Sequence, residues 1–97
     1  MPTYVSLVKW TEQGIRDVKE SPKRLDAVKQ VFSAAGGHLT DFWLVLGEYD
    51  MVVVGEFPSD EAYATSLLSI ASRGAVRTTT LKAFTEEEYR RIIAAIS

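Results

Sequence analysis

The sequence predicts an α+β fold: a four-stranded antiparallel sheet with two helices on one face and a further helix at the C-terminus. Three observations carry this. First, Asp41-Phe42-Trp43-Leu44-Val45-Leu46 and Met51-Val52-Val53-Val54-Gly55-Glu56-Phe57 are apolar runs rich in aromatic and β-branched residues, joined by a turn at Gly47 to Asp50; such residues favour a pleated backbone. Second, two segments place apolar residues at steps of three and four between clear start and stop signals. Third, a strand-like run stands at each end of this central pattern, Tyr4 to Trp10 and Ala75 to Phe84.

In order, Tyr4-Val5-Ser6-Leu7-Val8-Lys9-Trp10 is the first strand, and Thr11 to Glu20 a long polar connection. Loops of that length are often functional. Ser21-Pro22 opens a helix, Ser as N-cap and Pro at the first helical position. Its stripe is Leu25, Val28, Phe32 and Ala35, and Gly36-Gly37 stops it. His38 to Leu46 is the second strand and Asp50 to Phe57 the third. Ser59 caps a second helix whose first turn holds Asp60 and Glu61, favoured there by the helix dipole. Its stripe is Tyr63, Leu67, Ile70 and Ala71, and Gly74 closes it. After the fourth strand, Thr85-Glu86-Glu87-Glu88 is a capping box opening a last helix with Tyr89, Ile92, Ile93 and Ile96 expected to face inward. The order β-α-β-β-α-β plus a helix is the ferredoxin-like split βαβ arrangement, a single domain over 1–97.

Ninety-seven residues suit one domain with a modest core. The net charge of −2, from 11 basic and 13 acidic residues, leaves no basic footprint for nucleic acid. There are no cysteines, which excludes disulfides, thiolate catalysis and iron–sulfur ligation and fits the cytoplasm. Met1-Pro2-Thr3-Tyr4 does not read as a secretion signal, and no apolar run approaches the ~20 residues that span a bilayer.

In this topology the helices cover one sheet face only, so a monomer should alternate apolar with polar residues. The first strand instead presents Tyr4, Ser6, Val8 and Trp10 on one face and Val5, Leu7 and Lys9 on the other; the third presents Met51, Val53, Gly55 and Phe57 against Val52, Val54 and Glu56. Both faces are mostly apolar. An uncovered face of that kind exceeds what monomers tolerate, so the expectation is a homodimer with sheets face to face, a dimeric α+β barrel.

Gly47-Glu48-Tyr49-Asp50 matches the Gly-x-Tyr-Asp signature of GYD-domain proteins, and the chain resembles that family almost end to end. The other matching pieces are Leu7-x-Lys9-Trp10-Thr11-x-Gln13-Gly14-Ile15, Ser21-Pro22-x-Arg24, Gly36-Gly37 and Thr80-Leu81-x-Ala83-Phe84. The resemblance implies a dimeric barrel of ferredoxin-like units in a small bacterial-type protein. It carries over neither an activity nor catalytic positions. Barrels of this topology include cofactor-light monooxygenases, isomerases, haem-binding enzymes and ligand-sensing domains, and fold alone does not choose among them.

Each chemical candidate has two readings. Asp50 is a base or anchor with Tyr49 as donor at a pocket mouth, or it organises the turn through its own backbone while Tyr49 packs as a lid. His38, the one histidine, is an acid–base group or a half-exposed strand opener; no second histidine or Glu/His spacing accompanies it to make a metal site. Lys9 beside Trp10 would hold an anionic aromatic ligand, or is a snorkelling lysine beside a core or interface tryptophan. Phe42 and Trp43 are adjacent and point to opposite faces, one to the core and one to the interface. Glu56 and Arg77 are charges within apolar strands that would pair, across the dimer or within the chain, or else mark a polar cavity.

The functional expectation is a homodimeric small-molecule-binding module, with no cofactor identified, whose ligand site takes in Lys9, Trp10, Trp43, Tyr49 and Asp50, with Tyr4 on the wall of the sheet-to-helix cavity. One alternative is a cofactor-light enzyme, of monooxygenase or isomerase type, acting on an aromatic or quinone-like substrate with His38 or Asp50 as base. The other is a structural oligomer or partner-binding scaffold.

Overall fold

A computed structural model describes residues 1–97. Strands β1 (Thr3–Trp10), β2 (His38–Leu44), β3 (Met51–Glu56) and β4 (Val76–Ala83) form one antiparallel sheet in the order β2-β3-β1-β4. Helices α2 (Ser21–Ala34) and α3 (Asp60–Ala71) pack on one face, and α4 (Glu86–Ala94) follows β4. This is the expected ferredoxin-like order with its added helix.

The connection after β1 is more ordered than its polar composition suggests. It contains a short helix α1 (Glu12–Arg16) and a 3-10 turn, Val18–Glu20. The Thr11 hydroxyl accepts from the Gly14 N–H at 3.0 Å and donates to the Gly74 carbonyl, while the Thr11 N–H donates to Ala75 at 3.0 Å. Gly14 lies so close to the Ala75 carbonyl that a β-carbon there would overlap it. The Arg24 guanidinium donates to the Gly14 and Asp17 carbonyls at 3.0 and 3.1 Å, satisfying groups that end the short helix. Because the 3-10 turn runs directly into α2, Ser21 lies inside that helix and Glu20 takes the N-cap position, which corrects the expected Ser21 cap. Ser59 does cap α3, accepting from the Ala62 N–H at 3.1 Å.

The core lies between the sheet and the α2/α3 layer. Phe57 is fully buried at its centre, with the rings of Tyr4, Phe32 and Tyr63 meeting it edge to face at 4.7 to 5.9 Å. Tyr4 and Tyr63 stack with centroids 4.4 Å apart. Their hydroxyls need partners at this depth: Tyr4 donates to Asp60, and Tyr63 shares hydrogen bonds with Ser6 and Thr80. Only 13 of 97 residues are buried, because two apolar surfaces find no cover within the chain.

One is the far sheet face, formed by Val5, Leu7, Val52, Val54, Trp43 and Leu81; Trp43 and Leu81 are half exposed. The other is α4. Tyr89, Ile92 and Ile93 of α4, and Ile96 two residues beyond its end, do not face inward: each is exposed, and α4 makes no substantial contact with any other element. The stripe exists as its periodicity predicts, but its own domain offers nothing to cover it.

Candidate functional site

Between sheet and helices lies a cleft of about 120 Å³, apolar along most of its wall. Val8, Trp10, Phe42, Val53, Leu67 and Ile70 line it, and Arg24 and Arg73 contribute the charged groups. Trp10 reaches this side because it continues the alternation Tyr4, Ser6, Val8 on β1. Its indole Nε1 is buried without a hydrogen-bond partner. Tyr4 belongs to the core behind the cleft, where burial, with the neighbouring Asp60 carboxylate adding to it, pushes its phenol up to about 12. Asp60 in turn is held below the ordinary carboxylate range by the Tyr4 hydroxyl and then by Lys82, 3.0 Å away.

The opposite sheet face has its charge sorted to its two ends. Lys9 stands beside Arg77 in the β1–β4 register, and its ammonium lies 5.3 Å from the centre of the Tyr49 ring, a cation–π distance. At the other end His38 faces Glu56, with Nε2 3.3 Å from the carboxylate, and Asp41 is one step inward beside Val54. Glu56 and Arg77 thus share a face but sit near opposite ends of their strands. Within the chain they do not pair, and Glu56 takes His38 instead.

The expected site residues divide accordingly. Lys9 and Tyr49 meet on the open face, and Trp43 lies on that face as well. Trp10 lines the cleft on the other side of the sheet. Asp50 binds backbone, its carboxylate accepting from the Trp10 N–H at 3.0 Å and its own N–H donating to Val8 at 2.9 Å. His38 and Asp50 lie at opposite ends of the sheet, and neither lines the cleft. No group of three or more His, Asp or Glu side chains is arranged to hold a metal ion. Arg24 and Arg73 are cleft residues that residue types alone do not single out. The signal available for Arg24 is its place three positions after the Ser21 helix start, a spacing that keeps it on the cleft side.

Three of the pieces that carried the sequence resemblance meet at the Trp10 end of the sheet. Thr11, Gly14 and Arg24 build one joint against the start of β4, and Gly47 to Asp50 closes the hairpin onto Trp10, Gly47 adopting φ +126°. The GYD domain family model matches residues 4–93. The chain belongs to the GYD domain family. A relative from Thermus thermophilus, named glutamine synthetase and cystathionine beta-lyase binding protein, is 36% identical over 84 residues, covering 86% of this chain and 88% of its own. Among solved structures, the hypothetical protein PHS023 from Pyrococcus horikoshii superposes with a TM-score of 0.57 at 22% identity, over 89% of this chain and 93% of that one. FFRP-DM1 gives the same score and identity over 87% and 100%. These two likenesses speak to the fold alone. No helix of this GYD domain is long and apolar enough to cross a membrane.

Proposed function

We propose that this GYD domain is a self-associating protein-binding module, without catalysis of its own, in which two copies close their open sheet faces on each other. The observation that carries this is the pattern of that face: an apolar centre of Val5, Leu7, Val52, Val54 and Leu81, with Lys9 and Arg77 at one end and Asp41 and Glu56 toward the other. A two-fold axis running across the strands reverses one sheet over the other and sets each basic end above the second copy's acidic end. An axis along the strands would stack like charges, which costs affinity. Self-association of this kind covers the face that no helix covers.

The relative's name supports the protein-binding part of the reading, and the class of partner we assign is a soluble metabolic enzyme met in the cytoplasm. The test is sedimentation equilibrium together with binding of the purified chain to purified glutamine synthetase and cystathionine beta-lyase. A dimer that binds either enzyme supports the reading; a monomer across the micromolar range overturns self-association, and a dimer that binds neither removes the assigned partner class.

The cleft favours a second reading, binding of a small apolar molecule. Its volume approaches that of cavities that accept a single aromatic ring, ~150 Å³. Native mass spectrometry of protein purified without added ligand decides it: retained extra mass supports the reading, and a clean unliganded species counts against it.

A further inference from the structure

We infer that α4, together with Ile96 just beyond its end, is an exchanged arm, packing the stripe of Tyr89, Ile92, Ile93 and Ile96 on a second copy of the chain. This rests on the self-association proposed above and names a surface that the sheet faces do not include.

The helix has every local device it needs except burial. Thr85 and Glu88 form a reciprocal capping box, with the Thr85 N–H donating to the Glu88 carboxylate at 2.8 Å and the Glu88 N–H to the Thr85 hydroxyl at 3.2 Å. Arg90 pairs with Glu86 at 2.8 Å and Arg91 with Glu87 at 3.1 Å, one helical turn apart. Yet α4 has nine residues, and isolated helices shorter than ~12–15 residues are marginal in water. Its stability must come from covering the apolar stripe. Tyr89 is 57% exposed and Ile96 69%, with Ile92 and Ile93 just under half. The molecule measures 52 × 31 × 17 Å, an elongated form, and α4 is not folded back on its own layers.

A second copy is the occupant for two reasons. Only Phe84, 58% exposed, and Thr85 separate Ala83 of the open sheet face from the first turn of α4, so the stripe lies one short connection from the surface that self-association covers. The area also fits. An aromatic side chain offers ~150–250 Å², so half exposure of Trp43, Leu81, Phe84, Tyr89 and the three isoleucines amounts to several hundred Å² per chain. That is near the ~800 Å² each partner gives to a standard interface. The stripe alone falls well short of it.

The test uses the full chain. Protein carrying ¹³C-labelled isoleucine methyls is mixed with unlabelled protein, and isotope-filtered NOEs are recorded from Ile92 and Ile93; in parallel, the dimer dissociation constant is measured for Ile93→Glu and Ile92→Ser. We expect NOEs to the unlabelled copy and at least a tenfold rise in the dissociation constant for Ile93→Glu, since each dimer loses two buried isoleucines. Near- and far-UV circular dichroism of the variants reports that the sheet core, remote from these positions, is unchanged. A dimer of undiminished strength in both variants, with NOEs only within one chain, overturns the arm while leaving the paired sheets intact. Protection of the stripe only on adding purified glutamine synthetase also overturns it and assigns α4 to that enzyme. A wild-type monomer at every concentration overturns the arm and the sheet pairing together.

Discussion

The carboxylate of Asp50 holds the backbone N–H of Trp10 at 3.0 Å, while the N–H of Asp50 returns a bond to Val8 at 2.9 Å. One residue of the hairpin turn thus clasps the end of β1, beyond the last β1–β3 pair at Val8 and Met51. The tyrosine before it lies against Lys9 on the open face, so the clasp also fixes the basic end of that face.

Asp50→Ala leaves the Trp10 N–H without its acceptor in a half-buried position and should lower stability by about 1–3 kcal/mol. Asp50→Asn keeps a carbonyl oxygen within reach and should lie closer to wild type. Urea unfolding followed by tryptophan fluorescence separates the two; equal losses would show that charge, rather than the acceptor, is what the site requires.

Gly14→Ala drives a methyl group into the Ala75 carbonyl. Backbone on both sides leaves little room to relax, so overpacking should cost about 1–3 kcal/mol. The expected reading is a lowered unfolding midpoint in differential scanning calorimetry. Ile15→Ala, next to it but half exposed, serves as the control and should change little.

The Tyr4–Asp60 pair gives stability a dependence on pH at both ends. Tyr4 is raised in the folded state from 10.0 to about 12. Above pH 10 the unfolded chain releases this proton and the folded chain keeps it, so the contribution is complete below 10 and is lost as pH rises toward 12. Asp60 is lowered from 3.8; its contribution is present above that value and is lost as pH falls through the folded pKa. Tyr4→Phe should flatten the alkaline limb and weaken the acid one, and Lys82→Met should weaken the acid limb alone. Urea midpoints measured across the acid and alkaline ranges check both.

Reversing the basic end of the open face with Lys9→Glu and Arg77→Glu should weaken self-association several-fold at low salt, since rim ion pairs contribute ~0.2–1 kcal/mol each. Mixing that variant with Asp41→Lys/Glu56→Lys should restore association as a heterodimer, resolvable by mass in native mass spectrometry. Failure of the mixture to recover would exclude the axis across the strands.

The fold is open to sequence reading because its signals are local. Ser59 before two acids, the Thr85 capping box and the glycines at 36 and 74 each act within one turn of chain. The faces of β2 are less accessible. Plain alternation from His38 would send Trp43 to the helix side, whereas the irregularity between Leu39 and Asp41 sends Phe42 there and leaves Trp43 52% exposed. An extra residue in one strand shifts every later side chain to the other face, and neighbouring residue types do not announce it. For the same reason Trp10 and Trp43, both expected on a ligand site, lie on opposite sides of the sheet. In α4 the periodicity holds and the expected partner within the chain does not, since periodicity specifies a buried face without specifying what buries it.

Thr40 is the residue that makes β2 one longer than its neighbour requires, its hydroxyl donating to Val54 at 3.1 Å. Removing it would let Asp41 follow Leu39 in regular register, with Phe42 still toward the helices and Trp43 still outward. Loss of one codon at this place therefore leaves the pattern of faces intact, whereas loss of one at Phe42 or Trp43 would invert every later side chain of the strand. Length variation in descendants of this gene should collect at Thr40, the position where evolution can shorten the strand without turning it inside out.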